Sequence, residues 1–240
     1  MQDLTDLTAA ILAGGRGTRL RPVVPDQPKV LAESRGRPFL AYLLDQLADA
    51  GVRYVVLCTG YLGEQIQATF GESYGSLDLV YSQETSPLGT AGALRLALPL
   101  FRSDSVLVMN GDSFCEVNLG SFWAWHYKRG ADATLLLIQM PDTRRYGRVQ
   151  VDADGLILDF KEKNDKSGPG WINTGIYLLN RGLLLTIQAS GAVSLEQEMF
   201  PAWICGGLHG YRSEGRFLDI GTPEGYRTAK QFFPSVSNRF

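Results

Sequence analysis

An α/β fold on a doubly wound, mixed and mostly parallel sheet is predicted by three features of this sequence. Strand-like apolar runs alternate with helix-length segments through the first half of the chain, the rhythm of crossover units. The first run, Ala9-Ala10-Ile11-Leu12-Ala13, breaks abruptly into a glycine loop, Gly14-Gly15-Arg16-Gly17. Two later runs end with an aspartate and a glycine within three residues, at Asn110-Gly111-Asp112 and at Asp219-Ile220-Gly221. In open α/β sheets ligands bind beyond the carboxyl ends of the strands, so these tips are the places to look for chemistry.

The elements follow in order. Residues 38–50 place apolar side chains at helical spacing, and Gly51 supplies a C-terminal stop. Residues 54–58 form a β-rich run, 62–70 a helix and 77–81 another strand. A helix is predicted over 91–99, a strand over 105–109 and an amphipathic helix over 119–129. That helix carries Trp123 and Trp125, which at i, i+2 cannot share a face, so one is expected to pack and the other to be partly exposed. Residues 133–139 continue the sheet. From Gly147 the rhythm changes. Short strands at 148–151 and 156–161 flank Asp152-Ala153-Asp154-Gly155, a good hairpin turn. A polar loop over 161–170 leads to a strand at 171–179, and 223–233 reads as a helix. With no linker and no internal repeat, one domain over 1–240 is expected, in two lobes of about 1–140 and about 141–240.

Composition narrows the function. At 240 residues, 45% hydrophobic and 20% charged, the chain can bury a substantial core. A net charge of −2 argues against nonspecific nucleic-acid binding, so any anion site must be local. No apolar run approaches the roughly 20 residues of a membrane span, and the first eight residues are no signal peptide. A cytoplasmic setting without membrane or nucleic-acid partners is therefore expected, as a monomer or homo-oligomer. Cys58, Cys115 and Cys205 are odd in number and lack metal-ligand spacing, so buried, reduced thiols are expected at Cys58 and Cys115. His126 and His209 have no partner at ligand spacing, which leaves zinc or a histidine triad little support.

The glycine loop is the local anion site. Glycine lets backbone N–H groups approach a ligand closely, and Arg16, Arg19, Arg21 and Lys29 follow within one short stretch. Gly-x-x-x-x-Gly-Lys-Ser/Thr is absent, which excludes a P-loop. The dinucleotide fingerprint starting at Gly15 and Gly17 fails at Leu20. A glycine turn rimmed by cations at a buried strand's end suits a triphosphate. Asp112 and Asp219, at two strand tips, could together hold one Mg²⁺, which typically takes one or two carboxylates and completes its shell with phosphates and water. By turn statistics alone Asp112 reads rather as a turn aspartate capping the next element, and spacing alone does not establish its pairing with Asp219.

At this point a resemblance emerges. Leu12-Ala13-Gly14-Gly15-Arg16-Gly17-Thr18-Arg19-Leu20 followed by Pro28-Lys29 resembles the signature of the sugar-1-phosphate nucleotidylyltransferases. Gln83-Glu84 and Pro87-Leu88-Gly89-Thr90-Ala91-Gly92 resemble that family's base segment. Asn110-Gly111-Asp112 and Asp219-Ile220-Gly221-Thr222-Pro223 resemble its two metal segments. Tyr146-Gly147, Phe160-Lys161-Glu162-Lys163 and Asn173-Thr174-Gly175 resemble its sugar-phosphate segments. The match runs in order from Ile11 to about Tyr226.

The resemblance implies a Rossmann-like, GT-A-like nucleotidyltransferase fold with a nucleotide-binding first lobe and a smaller sugar-binding second lobe. It implies roles as well. Gly14, Gly15 and Gly17, with Leu12 and Thr18, would bind the nucleotide phosphates, and Gln83, Gly89 and Thr90 the base side. Arg19 and Lys29 would be catalytic, Arg19 on the leaving pyrophosphate and Lys29 between the sugar phosphate and the α-phosphate. Asp112 and Asp219 would hold Mg²⁺. Asn110, Gly147, Glu162, Lys163 and Asn173 would bind the sugar phosphate. Two departures concern backbone shape: Val30-Leu31-Ala32-Glu33 and Asn164 stand where many members have proline.

Finer segments are similar to the D-glycero-D-manno-heptose 1-phosphate guanylyltransferases: Arg19 to Lys29, Ser86 to Ala93, and Ser194-Leu195-Glu196-Gln197-Glu198. A long C-terminal extension, such as the β-helix of bifunctional relatives, is not expected. The resemblance thus implies GTP and a heptose 1-phosphate as substrates. Mannose 1-phosphate with GTP, or another sugar 1-phosphate with UTP, would use the same core. A regulatory subunit that only binds nucleotide sugar would have no need for Arg19, Lys29, Asp112 and Asp219 together.

Overall fold

The computed structural model describes residues 4–15, 17–161, 168–188 and 191–233. The first half alternates as the sequence predicts: β1 (Thr8–Leu12), the short pair β2 (Glu33–Ser34) and β3 (Arg37–Pro38), α1 (Phe39–Asp49), β4 (Tyr54–Thr59) and α2 (Gly63–Phe70). There follow β5 (Ser73–Tyr74), β6 (Leu77–Gln83), α3 (Gly89–Ala97), β7 (Ser105–Asn110), β8 (Ser113–Cys115) and α4 (Leu119–Arg129). The second half comprises β9 (Ala133–Met140), β10 (Arg148–Val151), β11 (Ile157–Lys161), β12 (Gly170–Asn180), α5 (Arg181–Leu184) and α6 (Phe200–Trp203). It closes with β13 (Leu208–Ser213), β14 (Phe217–Asp219) and α7 (Pro223–Phe232).

One large sheet carries the fold. β1 lies between β4 and β7, both parallel to it, and β6 extends the parallel set beyond β4. β12 then runs antiparallel to β7 and, on its other edge, to β9, while β13 is parallel to β9. The long β12 therefore joins the two halves of the chain into one sheet. Its outer end also pairs with β10, which makes the predicted hairpin with β11. Asp152 Oδ1 ties that turn by accepting from the N–H groups of Asp154 and Leu156.

Alternation along the central strands sends side chains to two cores. Ile11, Leu57, Met109 and Leu178 face one side with α1, α4 and α7. Ala10, Val56, Val108 and Tyr177 face the other with α3, α5 and α6. Helices on both faces explain why these strands read as unbroken apolar runs rather than alternating ones. Trp123 and Trp125 are both half-buried, one against His126 and the other against His209 and Tyr211. The expected contrast between them is not seen, because β13 offers a second aromatic surface to α4. Among the described residues, no helix is long and apolar enough to cross a membrane. Cys58 and Cys115 are buried and unbridged.

His126 is only 2% exposed on α4, its Nδ1 hydrogen-bonded to Thr134 Oγ1 at 2.8 Å. Burial, and then the nearby His209, push its imidazole from 6.5 down to about 4. The unfolded chain therefore takes up this proton first as pH falls. The stability held by neutral His126 is complete above about pH 6.5 and drains away toward pH 4, by roughly 3 kcal/mol in all. Urea unfolding at pH 7 and pH 4.5 should show His126→Gln losing less stability on acidification than the parent protein. Equal losses would place the acid sensitivity elsewhere.

Candidate active site

The glycine loop begins where β1 ends. Ala13 N–H donates to the Cys58 carbonyl at 2.8 Å and Gly111 N–H donates to the Leu12 carbonyl at 2.9 Å. The tips of β4 and β7 are thus fastened to either side of the loop's root. Gly111 is required there, since a Cβ would stand 2.7 Å from both the Leu12 oxygen and Val30 Cγ1. Gly17 turns the chain with φ +59° and accepts at its carbonyl from Leu20 and Arg21, and the buried Leu20 anchors the turn in the core.

A second loop is held just as firmly. Gly89 opens α3 at φ +75°, and a Cβ there would lie 2.4 Å from the Val193 carbonyl oxygen. That oxygen caps the helix by accepting from Ala91 and Gly92 N–H, while Val193 N–H donates to Leu88. The orphan amides of α3 are therefore satisfied by a distant backbone segment. Gly89→Ala should unseat this contact, lowering stability by about 2 kcal/mol or more and weakening nucleotide binding in step. A melting curve and a nucleotide titration check it; an unchanged melting temperature would contradict the packing.

Three charged side chains from three elements converge at the strand tips. Lys29 sits on a helical turn, Lys29–Leu31, pinned by the buried Val30 and Leu31. Asp112 follows the tip of β7. Asp219, at the end of β14, arrives through a small second sheet in which it lies opposite Ser113 of β8. Ile220 N–H donates to the Asp112 carbonyl at 2.9 Å and completes the junction. Gly221 marks the meeting point: a Cβ there would stand 2.7 Å from Asp219 Oδ1, 3.3 Å from Lys29 Nζ and 3.5 Å from Asp112 Oδ2. Asp219 Oδ1 accepts from Gly221 N–H at 2.6 Å, and Lys29 is ion-paired with Asp112. Burial alone would raise the Asp112 carboxyl, but the Lys29 ammonium, with Arg19 adding to it, outweighs burial and holds it below the ordinary carboxylate value.

Two recesses meet at this junction. One, of about 330 Å³, is bordered by Gly14, Gly15, Gly17, Gly89 and Thr90, with Leu12 and Lys29 also in its lining. The other, of about 230 Å³, is bordered by Arg19, Tyr146, Gly147, Asn173, Glu196 and Asp219. Asn110 and Asp112 border both. Gln83 is exposed and lines another recess with Gly14, Gly60 and Tyr61, while Thr18 is exposed on the turn and borders neither of the two recesses at the junction. Glu162 and Lys163 lie outside the described residues. Cys58 touches the first recess, but burial, and then Glu84, push its thiol up to about 12, which leaves it no nucleophile.

Sequence reasoning did not single out two carboxylates at these recesses. Glu84 packs against Gly14 and Gly60, accepts from Leu88 N–H at 3.0 Å, and borders the first recess. Burial raises its carboxyl above the ordinary value, the Leu88 bond opposing this. Glu196 borders the second recess and accepts from Thr90 and Tyr177 hydroxyls. The signal for Glu84 was its place beside Gln83. For Glu196 it was only the segment Ser194-Leu195-Glu196, whose contact with α3 is invisible in sequence.

A family description, "Nucleotidyl transferase", matches residues 8–235. The D-glycero-alpha-D-manno-heptose 1-phosphate guanylyltransferase of Aneurinibacillus thermoaerophilus is 37% identical over 94% of this chain and 97% of its own length. The mannose-1-phosphate guanylyltransferase of Mycobacterium tuberculosis is 35% identical over 91% of this chain, which spans 62% of that longer relative. HddC from Yersinia pseudotuberculosis superposes with a TM-score of 0.86 at 30% identity, over 95% of this chain and all of that one, and a crystal structure of HddC holds GMP-PN. With the glycine loop, the paired carboxylates and their order along the chain, these likenesses establish that the chain belongs to the nucleotidyl transferase family, among its sugar-1-phosphate nucleotidylyltransferases.

Proposed function

We propose that the chain joins GTP to D-glycero-α-D-manno-heptose 1-phosphate, releasing pyrophosphate and forming the GDP-sugar. The observation that carries the reading is the convergence of Lys29, Asp112 and Asp219 where the two recesses meet. One recess is walled by glycine backbone and the α3 loop, as a nucleotide requires. The other is rich in polar side chains that suit sugar hydroxyls. On this reading residues 1 to about 140 form the nucleotide lobe and about 141–240 the sugar-phosphate lobe. The heptose assignment rests on the segments from Arg19 to Lys29 and from Ser194 to Glu198 and on the Aneurinibacillus relative. The Mycobacterium relative favours mannose 1-phosphate as the second reading. Both substrates are water-soluble metabolites, which suits a cytoplasmic enzyme.

The nucleophile is a phosphate oxygen of the sugar 1-phosphate, already anionic at neutral pH because its second pKa is near 6. It attacks the α-phosphorus in line; the new P–O bond forms as the bond from the α-phosphorus to the bridging oxygen breaks and pyrophosphate departs. No general base is needed, so the work is positioning and charge neutralisation. The backbone of Gly14, Gly15 and Gly17 cradles the triphosphate. Lys29 stands where the two phosphates meet, and Arg19, exposed at the rim, receives the pyrophosphate. The donor set fits magnesium: Asp112 and Asp219 supply two hard carboxylates within one residue's breadth, leaving positions for phosphate oxygens and water. When bound, the ion would neutralise charge on the reacting phosphates.

Pyrophosphate release with Mg²⁺, across GTP, UTP, dTTP, CTP and ATP against several sugar 1-phosphates, tests the reading. Release confined to GTP with the heptose phosphate is expected. Release with another pair would keep the chemistry and replace the substrates, while silence across the grid from protein that still binds nucleotide would favour a regulatory subunit.

A further inference from the structure

Glu196 sits at the crossing of three hydroxyls. Its Oε2 accepts from Thr90 Oγ1 at 2.8 Å and from Ser194 Oγ at 3.1 Å, and its Oε1 accepts from the Tyr177 hydroxyl at 3.2 Å. A carboxylate can only accept, so all three hydroxyls must spend their single proton on it. Each can then only accept from its other neighbour, and each does. Thr90 accepts from Leu195 N–H, Ser194 from Gln197 N–H, and Tyr177 from Asn173 Nδ2 at 2.9 Å.

The polarity of this relay reaches the second recess. Tyr177 is fully buried on β12 and cannot touch a substrate. Because its oxygen must accept, Asn173 presents its NH₂ to Tyr177 and its Oδ1 to Gly175 N–H, which donates at 3.0 Å. Asn173 borders the second recess, so the relay ends on a side chain at the wall of that recess.

We propose that Glu196 is a positioning residue that, through the Tyr177 hydroxyl, locks the amide of Asn173 in one orientation, so that this side chain keeps one fixed face toward a hydroxyl of the bound sugar 1-phosphate. The inference rests on the assignment of the second recess to the sugar. It gives the fully buried Tyr177 hydroxyl a task in substrate selection that it could not perform by contact.

The test is steady-state kinetics of Tyr177→Phe and Glu196→Gln, varying GTP and the sugar 1-phosphate separately. Tyr177→Phe is isosteric and should melt within a few degrees of the parent. Without the hydroxyl the Asn173 amide is free to turn, so the KM for sugar 1-phosphate should rise about five- to tenfold while the KM for GTP stays within about twofold. Glu196→Gln should raise the same KM, and the double variant should be no worse than the worse single, because both act along one route. Across a panel of monodeoxy sugar 1-phosphates, the parent should penalise loss of one hydroxyl and Tyr177→Phe should not. An active parent with an unchanged sugar KM in Tyr177→Phe, or with equal rises for both substrates, overturns the relay alone. If Glu196→Gln fails to fold, Tyr177→Phe and the deoxy panel still decide. A parent inactive with every sugar 1-phosphate overturns the assignment of the recess, and the relay with it.

Discussion

Lys29→Ala is expected to lower kcat by about two to three orders of magnitude while the protein stays folded. The ammonium is held at the junction of the two recesses, its side chain 14% exposed and paired with Asp112. Two phosphates approaching in line bring several negative charges to that point, and a fixed cation there stabilises the transition state more than either bound substrate. The fold has less at stake. Asp112 is about a third exposed, so water takes over the solvation of its carboxylate, and losing such a pair costs about 1 kcal/mol or less. Lys29→Arg should not restore the rate, because a planar fork does not reproduce a compact point charge at the place where the two phosphates meet. Rapid-quench turnover with matched melting curves checks both variants. Near-normal turnover by Lys29→Ala would remove this side chain from the chemistry.

How much of this was legible beforehand depends on the distance over which each signal acts. Local signals carried well. Helix α4 and strand β10 have the bounds that periodicity predicts, and the Asp152–Gly155 turn closes its hairpin as its residue types require. Boundaries moved where a tertiary contact decides them. α3 begins at Gly89, two residues earlier than predicted, because Val193 caps its first amides. Leu62, predicted within a helix, instead takes φ +57° just ahead of α2. The short pair β2–β3, strand β8 and the helical stretch from Leu195 to Trp203 were not read at all, since two- to five-residue elements carry too little pattern, and β14 was read as a strand-like run without its pairing to β8. The site shows the same division. The glycine loop and the two aspartates stand out by type and neighbours. The Glu196 relay does not, because Thr90, Tyr177 and Glu196 are brought together only by the packing of α3 on the segment after Gly191.

Asp219→Asn should uncouple metal use from folding. The substitution keeps size and shape, and the amide oxygen can still accept from Gly221 N–H, so the turn that starts α7 is preserved. What is lost is one negative charge from the pair that Asp112 and Asp219 present around Gly221. We expect half-saturating Mg²⁺ to rise at least about tenfold and kcat at subsaturating metal to fall about a hundredfold, with the melting temperature little changed. Chelation should abolish parental activity and added Mg²⁺ restore it. Asp112→Asn is the less clean experiment, since it also releases Lys29 from its partner and mixes two effects. Asp219→Ala is less clean as well, since it removes the acceptor that holds Gly221. The asparagine at 219 keeps the acceptor for Gly221 N–H and leaves the Lys29–Asp112 pair intact, so a shifted magnesium titration in a protein that melts normally points to the carboxylate's charge. An unshifted titration would make Asp219 a structural residue of this turn and take it out of the metal site.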